Sequence, residues 1–226
     1  MKGAPPSSYF EQLNAALQAK ANADGRAIPM LLLDLDALDR NLEQLQSDLA
    51  GPGRATPLGL RLVVKSLPSR ELLTHCMQRL QTERLMVFHQ PFLTDLSKTL
   101  APKADVLLGK PMPVQTAAYY YRNLPERSKG FDPFRQIQWL VDTPQRIEEY
   151  QALAAELGRP LRLNLEIDVG LHRGGFAPEG GAPNALRKGL ERIADHPEQL
   201  HFSGLMGYEP HVVKLPRLLR SRARAL

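Results

Sequence analysis

Short apolar runs alternate with amphipathic segments along most of this chain, and that alternation restricts it to a parallel α/β sheet. Residues 30–35, 60–65, 84–88, 105–109, 137–141, 161–168 and 202–208 read as strands. Between them lie helical patterns. Asp36 is expected to cap a helix reaching Leu49, with Asp39 in its first turn. Ser69 caps one reaching Leu80, and Thr143 caps one reaching Leu157. Further helices are expected near 92–100, 115–123 and 185–194. Seven β/α units with short connections most simply close as a barrel. The competing open, doubly wound sheet carries a glycine-rich loop after its first strand. Here Asp34-Leu35-Asp36-Ala37-Leu38 stands in that place. The expected fold is therefore α/β, a parallel TIM-type (β/α) barrel with about seven of its eight strands.

Three segments follow from this reading. Residues 1–27 form an N-terminal helical arm, with Tyr9, Phe10, Leu13 and Leu17 near a helical period over 7–22. Residues 28–212 form the barrel. Residues 213–226 form a basic tail. Lys214, Arg217, Arg220, Arg222 and Arg224 carry the whole formal excess of +5, so the body is neutral. No aromatic interleaving accompanies these charges, and no nucleic-acid partner is expected. The apolar runs are too short to span a bilayer, and the N-terminus lacks the apolar core of a secretion signal. Cys76 is the only cysteine, which excludes an internal disulfide and points to the cytoplasm.

Catalytic groups of such barrels sit at the carboxyl ends of strands. Lys65 ends the run Leu60-Arg61-Leu62-Val63-Val64-Lys65. An ammonium at the mouth of a buried strand is costly unless paired, and a desolvated lysine is a good amine nucleophile toward a carbonyl. The competing reading is a strand-end lysine that reaches water. In 161–168, Leu163, Leu165 and Ile167 share the helix-facing side, whereas Asn164, Glu166 and Asp168 line the barrel. Two inward carboxylates need a cation, and Arg173 and Lys65 are the expected partners. Gly204, Met206 and Tyr208 share a face that leaves room for a flat ligand on the Tyr208 ring. His75, His89, His196 and His201 show no paired metal-ligand spacing.

Together these segments resemble the fold-type III pyridoxal-phosphate enzymes, specifically the N-terminal barrel of the alanine racemase, D-threonine aldolase and D-serine dehydratase group. The likeness rests on PMLLLDLDALDRNL, LRLVVKS, DVLLGKPMP, LNLEIDVGLHRGGF and GLMGYEPH, in that order, over roughly residues 28–211. The resemblance implies a pyridoxal 5'-phosphate cofactor and a lyase or racemase acting on a D-amino acid. It implies that Lys65 forms the internal aldimine. Arg173 approaches the phenolic oxygen or the substrate carboxylate, and Tyr208 lies against the pyridine ring. Glu166 stands where many racemases have a carbamylated lysine. Asp168, His172 and His211 form a supporting shell around these groups. A homodimer is the family's habit.

The departures shape the expectations. Ser66-Leu67-Pro68 follows the lysine where the group's aldolases and dehydratases have Thr-His. The divalent-metal ligands of full-length relatives, and the racemases' second base, belong to a C-terminal β domain that this chain is expected to lack. The tail after Val212 is expected to reflect a shifted frame or a truncation. Three readings follow: a pyridoxal-phosphate enzyme, a single-domain pyridoxal-phosphate carrier of the homeostasis type, or a non-catalytic remnant of an open barrel.

Overall fold

The computed structural model describes residues 7–24, 32–51, 58–67, 69–124, 129–177 and 184–210. The chain forms two compact units, one up to Gln44 and one from Leu45 onward. In the first, α1 (Ser7–Asp24) turns Tyr9, Leu13 and Leu17 to its less exposed side, at the four-residue spacing of one helix face. The Tyr9 hydroxyl donates to Asp34 Oδ2 at 3.0 Å.

The expected first strand is not formed where it can be seen. Met30 and Leu31 lie outside the described residues, Leu32 and Leu33 are exposed and unpaired, and α2 (Leu35–Ala50) already begins at Leu35. Asp34, rather than Asp36, caps it: Asp34 Oδ1 accepts from the Ala37 N–H at 2.9 Å. The side-chain oxygen must stand outside the helix to reach that N–H, which Asp36, in the first turn, does not.

The second unit holds one sheet. Among the described residues it has six parallel strands in sequential order: β1 (Leu62–Val63), β2 (Arg84–Val87), β3 (Asp105–Leu108), β4 (Ile137–Val141), β5 (Leu161–Ile167) and β6 (Leu200–Gly207). Between them run α3 (Arg70–Leu80), α4 (Gln90–Leu96), α5 (Val114–Arg122), α6 (Pro133–Gln136), α7 (Pro144–Leu157) and α8 (Asn184–Asp195). Sequential parallel order with helical crossovers is that of a TIM-type barrel, here incomplete. Ser69 Oγ accepts from the Leu72 N–H and Thr143 Oγ1 from the Arg146 N–H, so both expected caps form.

Strand parity sorts the side chains. Leu85, Val87, Val106, Leu108, Ile137, Trp139, Val141, Leu161, Leu163 and Leu165 are fully buried on the outer, helix-facing side. Trp139 anchors this layer among Tyr120, Tyr121 and Tyr150. Burying one ring of that size contributes about 4–6 kcal/mol. Its indole N–H donates to the Tyr121 hydroxyl at 3.0 Å, which donates on to the Pro133 carbonyl, so no buried donor is stranded. The inner side carries a polar ladder among apolar Met86, Leu107 and Leu140. Arg61 donates to both the carbonyl and the carboxylate of Asp105, Gln138 donates to Asp105 Oδ1, and Asn164 donates to Gln138 Oε1 at 3.1 Å. This ladder crosses from the segment before β1 to β5 and satisfies most of the groups that parity forces inward, Asn164 Oδ1 excepted.

Candidate active site

All strands are parallel, so their carboxyl ends share one end of the sheet, the end at which barrels of this type do chemistry. Lys65 lies there, though not on a strand. The apolar run breaks after Val63 into a 3-10 turn over Val64–Ser66, and Lys65 is exposed. The desolvation expected at a buried strand mouth is absent because the turn swings the residue out. Its amine lies 3.8 Å from the centroid of the Phe88 ring. Among the described residues Lys65 forms no ion pair. Its expected pairing with the β5 carboxylates does not occur, since β1 and β5 are separated by three strands in the sheet.

The second group is built by β5 and the loop that follows it. Asp168 Oδ1 accepts from the backbone N–H groups of Gly170 and His172, both at 3.0 Å, while Oδ2 pairs with His172 Nδ1 at 2.8 Å. These bonds hold His172 at φ +52, a left-handed conformation that a non-glycine residue adopts only when its surroundings impose it. They also hold the Asp168 carboxyl below the usual aspartate range, with the His172 ring as the leading cause. The chain then folds back on the strand: the Phe176 N–H donates to the Glu166 carbonyl at 2.7 Å, and the Asp168 N–H to the Phe176 carbonyl at 3.0 Å. The result fixes Arg173, whose guanidinium lies 4.6 Å from the centroid of the half-exposed Tyr208 ring.

Glu166 is nine-tenths buried beneath this pair. Burial pushes its carboxyl above the ordinary glutamate value, the Asp142 charge adds to the rise, and Arg173 opposes it. Asp142 is a site residue that the sequence reading missed. Leu140 pairs with Asn164 and Val141 with Leu165, so the continued register sets Asp142 beside Glu166 on the inward face. The signal was present, since Asp142 sits one step past an apolar strand and just before the Thr143 cap. Phe88, under Lys65, was also missed; its inward parity with Met86 follows only once the strand register is known.

The structure thus brings Glu166, Asp168, Arg173 and Tyr208 into one small cleft, with His172 bracing Asp168. Lys65 stands apart on Phe88, and His211 lies outside the described residues, as does the tail. Space in the cleft is about 10 Å³, so a ring must lie against these groups and not between them. Larger cavities lie elsewhere, two of them above 500 Å³. One of about 780 Å³ is at the amino end of the sheet, near Gly59, Arg84 and Asp105. The other, of about 510 Å³, lies between α3 and α4. No cluster of three or more metal-ligating side chains occurs among the described residues. No helix among them is long and apolar enough to cross a membrane.

Residues 33–218 match the family model for the alanine racemase N-terminal domain. The chain belongs to that family. Dependence on pyridoxal phosphate is typical of this family. The chain is similar in fold to D-threonine aldolase from Filomicrobium marinum, at 21% identity and a TM-score of 0.62, over 87% of this chain and 48% of that one. It is similar to D-threo-3-hydroxyaspartate dehydratase, as an H351A mutant, at 19% identity and a TM-score of 0.63, over 85% and 46%. It is similar to alanine racemase from Corynebacterium glutamicum at 20% identity and a TM-score of 0.54, over 85% and 50%. The chain therefore spans about half the length of these structures. Among curated proteins none matches it by sequence.

The donor chemistry fits the family's cofactor. A primary amine suits an aldehyde, and a guanidinium lying on an aromatic ring suits an anionic ring oxygen. One layer below Glu166, Asn164 leaves its amide oxygen buried without a partner, while its amide nitrogen lies against Gly204.

Proposed function

We propose that this chain holds pyridoxal phosphate at Lys65 and serves an enzyme acting on D-amino acids, by aldol cleavage, dehydration or racemisation. One observation supports the reading above others: a primary amine stands past the first strand, at the same end of the sheet as the Arg173–Tyr208 pair. Two of the similar structures are named for D-configured β-hydroxy amino acids, which supports the substrate class.

When bound, the cofactor supplies an electron sink for the carbanion left at Cα of the amino acid. Lys65 Nζ is the nucleophile toward the aldehyde and, once free, the group that moves the proton at Cα. Arg173, flat on Tyr208, directs its N–H groups to an anionic oxygen. Glu166 lines the same cleft, where burial and the Asp142 charge make its carboxyl take up a proton more readily than an ordinary glutamate.

The test is borohydride trapping. The protein is mixed with pyridoxal phosphate, reduced, digested and mapped. The expected adduct is on Lys65 and is lost in Lys65→Ala. Reduction onto another lysine, or onto none, overturns the assignment. Turnover of D-threonine or D-serine by the unreduced protein supports the enzyme, and an adduct without turnover supports cofactor carriage alone.

A further inference from the structure

Three consecutive strand ends place an amine, a ring and a gap in one row. Lys65 follows β1, Phe88 directly follows β2, and Gly109 directly follows β3. Met86 pairs with Val63 on one side and Leu107 on the other, so Phe88 and Gly109 continue the same inward face. The Lys65 amine sits 3.8 Å from the centroid of the Phe88 ring. A Cβ on Gly109 would come within 2.7 Å of Phe88 Cζ and of Met86 Cγ, and 2.8 Å of Met86 Sδ. Gly109 is not in a left-handed conformation, so glycine serves here for room and not for backbone freedom.

A lysine stem has four rotatable bonds, and an exposed one samples many positions. Neither a carboxylate nor a hydrogen bond holds Lys65 among the described residues. The ring face is the one feature that fixes it, through attraction between the ammonium and the π quadrupole. We infer that Phe88 is a positioning residue for Lys65: its ring seats the free ammonium at the strand ends, and Gly109 keeps the space that seat requires. The inference rests on the reading of Lys65 as the ligand-binding amine. Its physical content is separate, because the seat exists without cofactor.

The consequence is an aromatic requirement at residue 88. A ring face that seats the amine lowers its availability to an electrophile, by about 2- to 5-fold for an exposed pair. The full chain, without cofactor, is treated at fixed pH with trace acetic anhydride. Acetylation of Lys65 is read by peptide mass spectrometry against Lys103 and Lys110 of the same molecule. Phe88→Leu is expected to raise relative Lys65 acetylation about 2- to 5-fold. Phe88→Tyr is expected to stay at the wild-type level, and Gly109→Ala to behave like Phe88→Leu. Phe88→Met supplies an unbranched apolar replacement should the leucine variant fail to fold, with the same rise expected. Wild-type acetylation in Phe88→Leu or Phe88→Met overturns the inference, as does a rise in Phe88→Tyr equal to that in Phe88→Leu. A chain that fails to trap pyridoxal phosphate on Lys65 but shows this aromatic pattern sinks the cofactor reading and leaves the seat standing.

Discussion

At the scale of single residues, the loop after β5 depends on one glycine. Gly175 has φ +101, and a Cβ there would lie 2.8 Å from the Glu166 carbonyl oxygen and 2.9 Å from the Asp168 nitrogen. Both neighbours are backbone and cannot turn aside. Gly175→Ala is expected to destabilise by about 1–3 kcal/mol in urea unfolding. It should also lower affinity for pyridoxal phosphate, because Arg173 loses its fixed place over Tyr208. Glu166 makes a different prediction. Its folded carboxyl titrates above the ordinary value of 4.5, so over that window the folded chain binds more protons than the unfolded one. Stability from this group is full below 4.5 and declines as pH rises through the folded value. Asp168 is shifted the opposite way, so its contribution is lost only on acidification below about 3.8. The urea midpoint of wild type should therefore fall, relative to Glu166→Gln, as pH rises from 4.5 through the folded value, and the two should converge below 4.5. Parallel midpoints across that range would refute it.

At the scale of elements, the helices are defined by their caps and one apolar face. In α7, Ile147, Tyr150, Leu153 and Ala154 are buried, the Thr143 side chain accepts from the Arg146 N–H, and Gly158 ends the helix at φ +65. Thr143→Ala is expected to cost about 1 kcal/mol, and Thr143→Ser to restore most of it, measured by thermal or urea unfolding. An equal loss in the serine variant would mean that the threonine methyl, and not the cap bond, carries the effect.

At the scale of the whole sheet, β6 beyond buried Leu200 is exposed on the side where the preceding strands are covered. Leu165 is fully buried, yet its partner Leu205 is 55% exposed, and Phe202, opposite fully buried Leu163, is 50% exposed. Leu205→Lys should leave stability within about 0.5 kcal/mol, since little packing is lost. It should also weaken binding of a hydrophobic dye, because the charge interrupts that apolar strip. A large loss of stability would show that Leu205 is packed in solution.

The alternation of elements, the caps at Ser69 and Thr143, and β2 to β6 to within a few residues were legible in the sequence, because periodicity and capping act over a few neighbouring residues. So were the positions of Lys65, Glu166, Arg173 and Tyr208 at one end of the sheet, which parallel order alone implies. Tertiary structure decided the rest. An apolar run at Leu32 and Leu33 looks like a strand wherever it stands, but it becomes one only if a neighbour pairs with it. Two partners were likewise decided by register: Asp142 rather than Lys65 beside Glu166, and Phe88 under the amine. Those contacts join residues tens of positions apart, and no local pattern encodes the strand offset that brings them together.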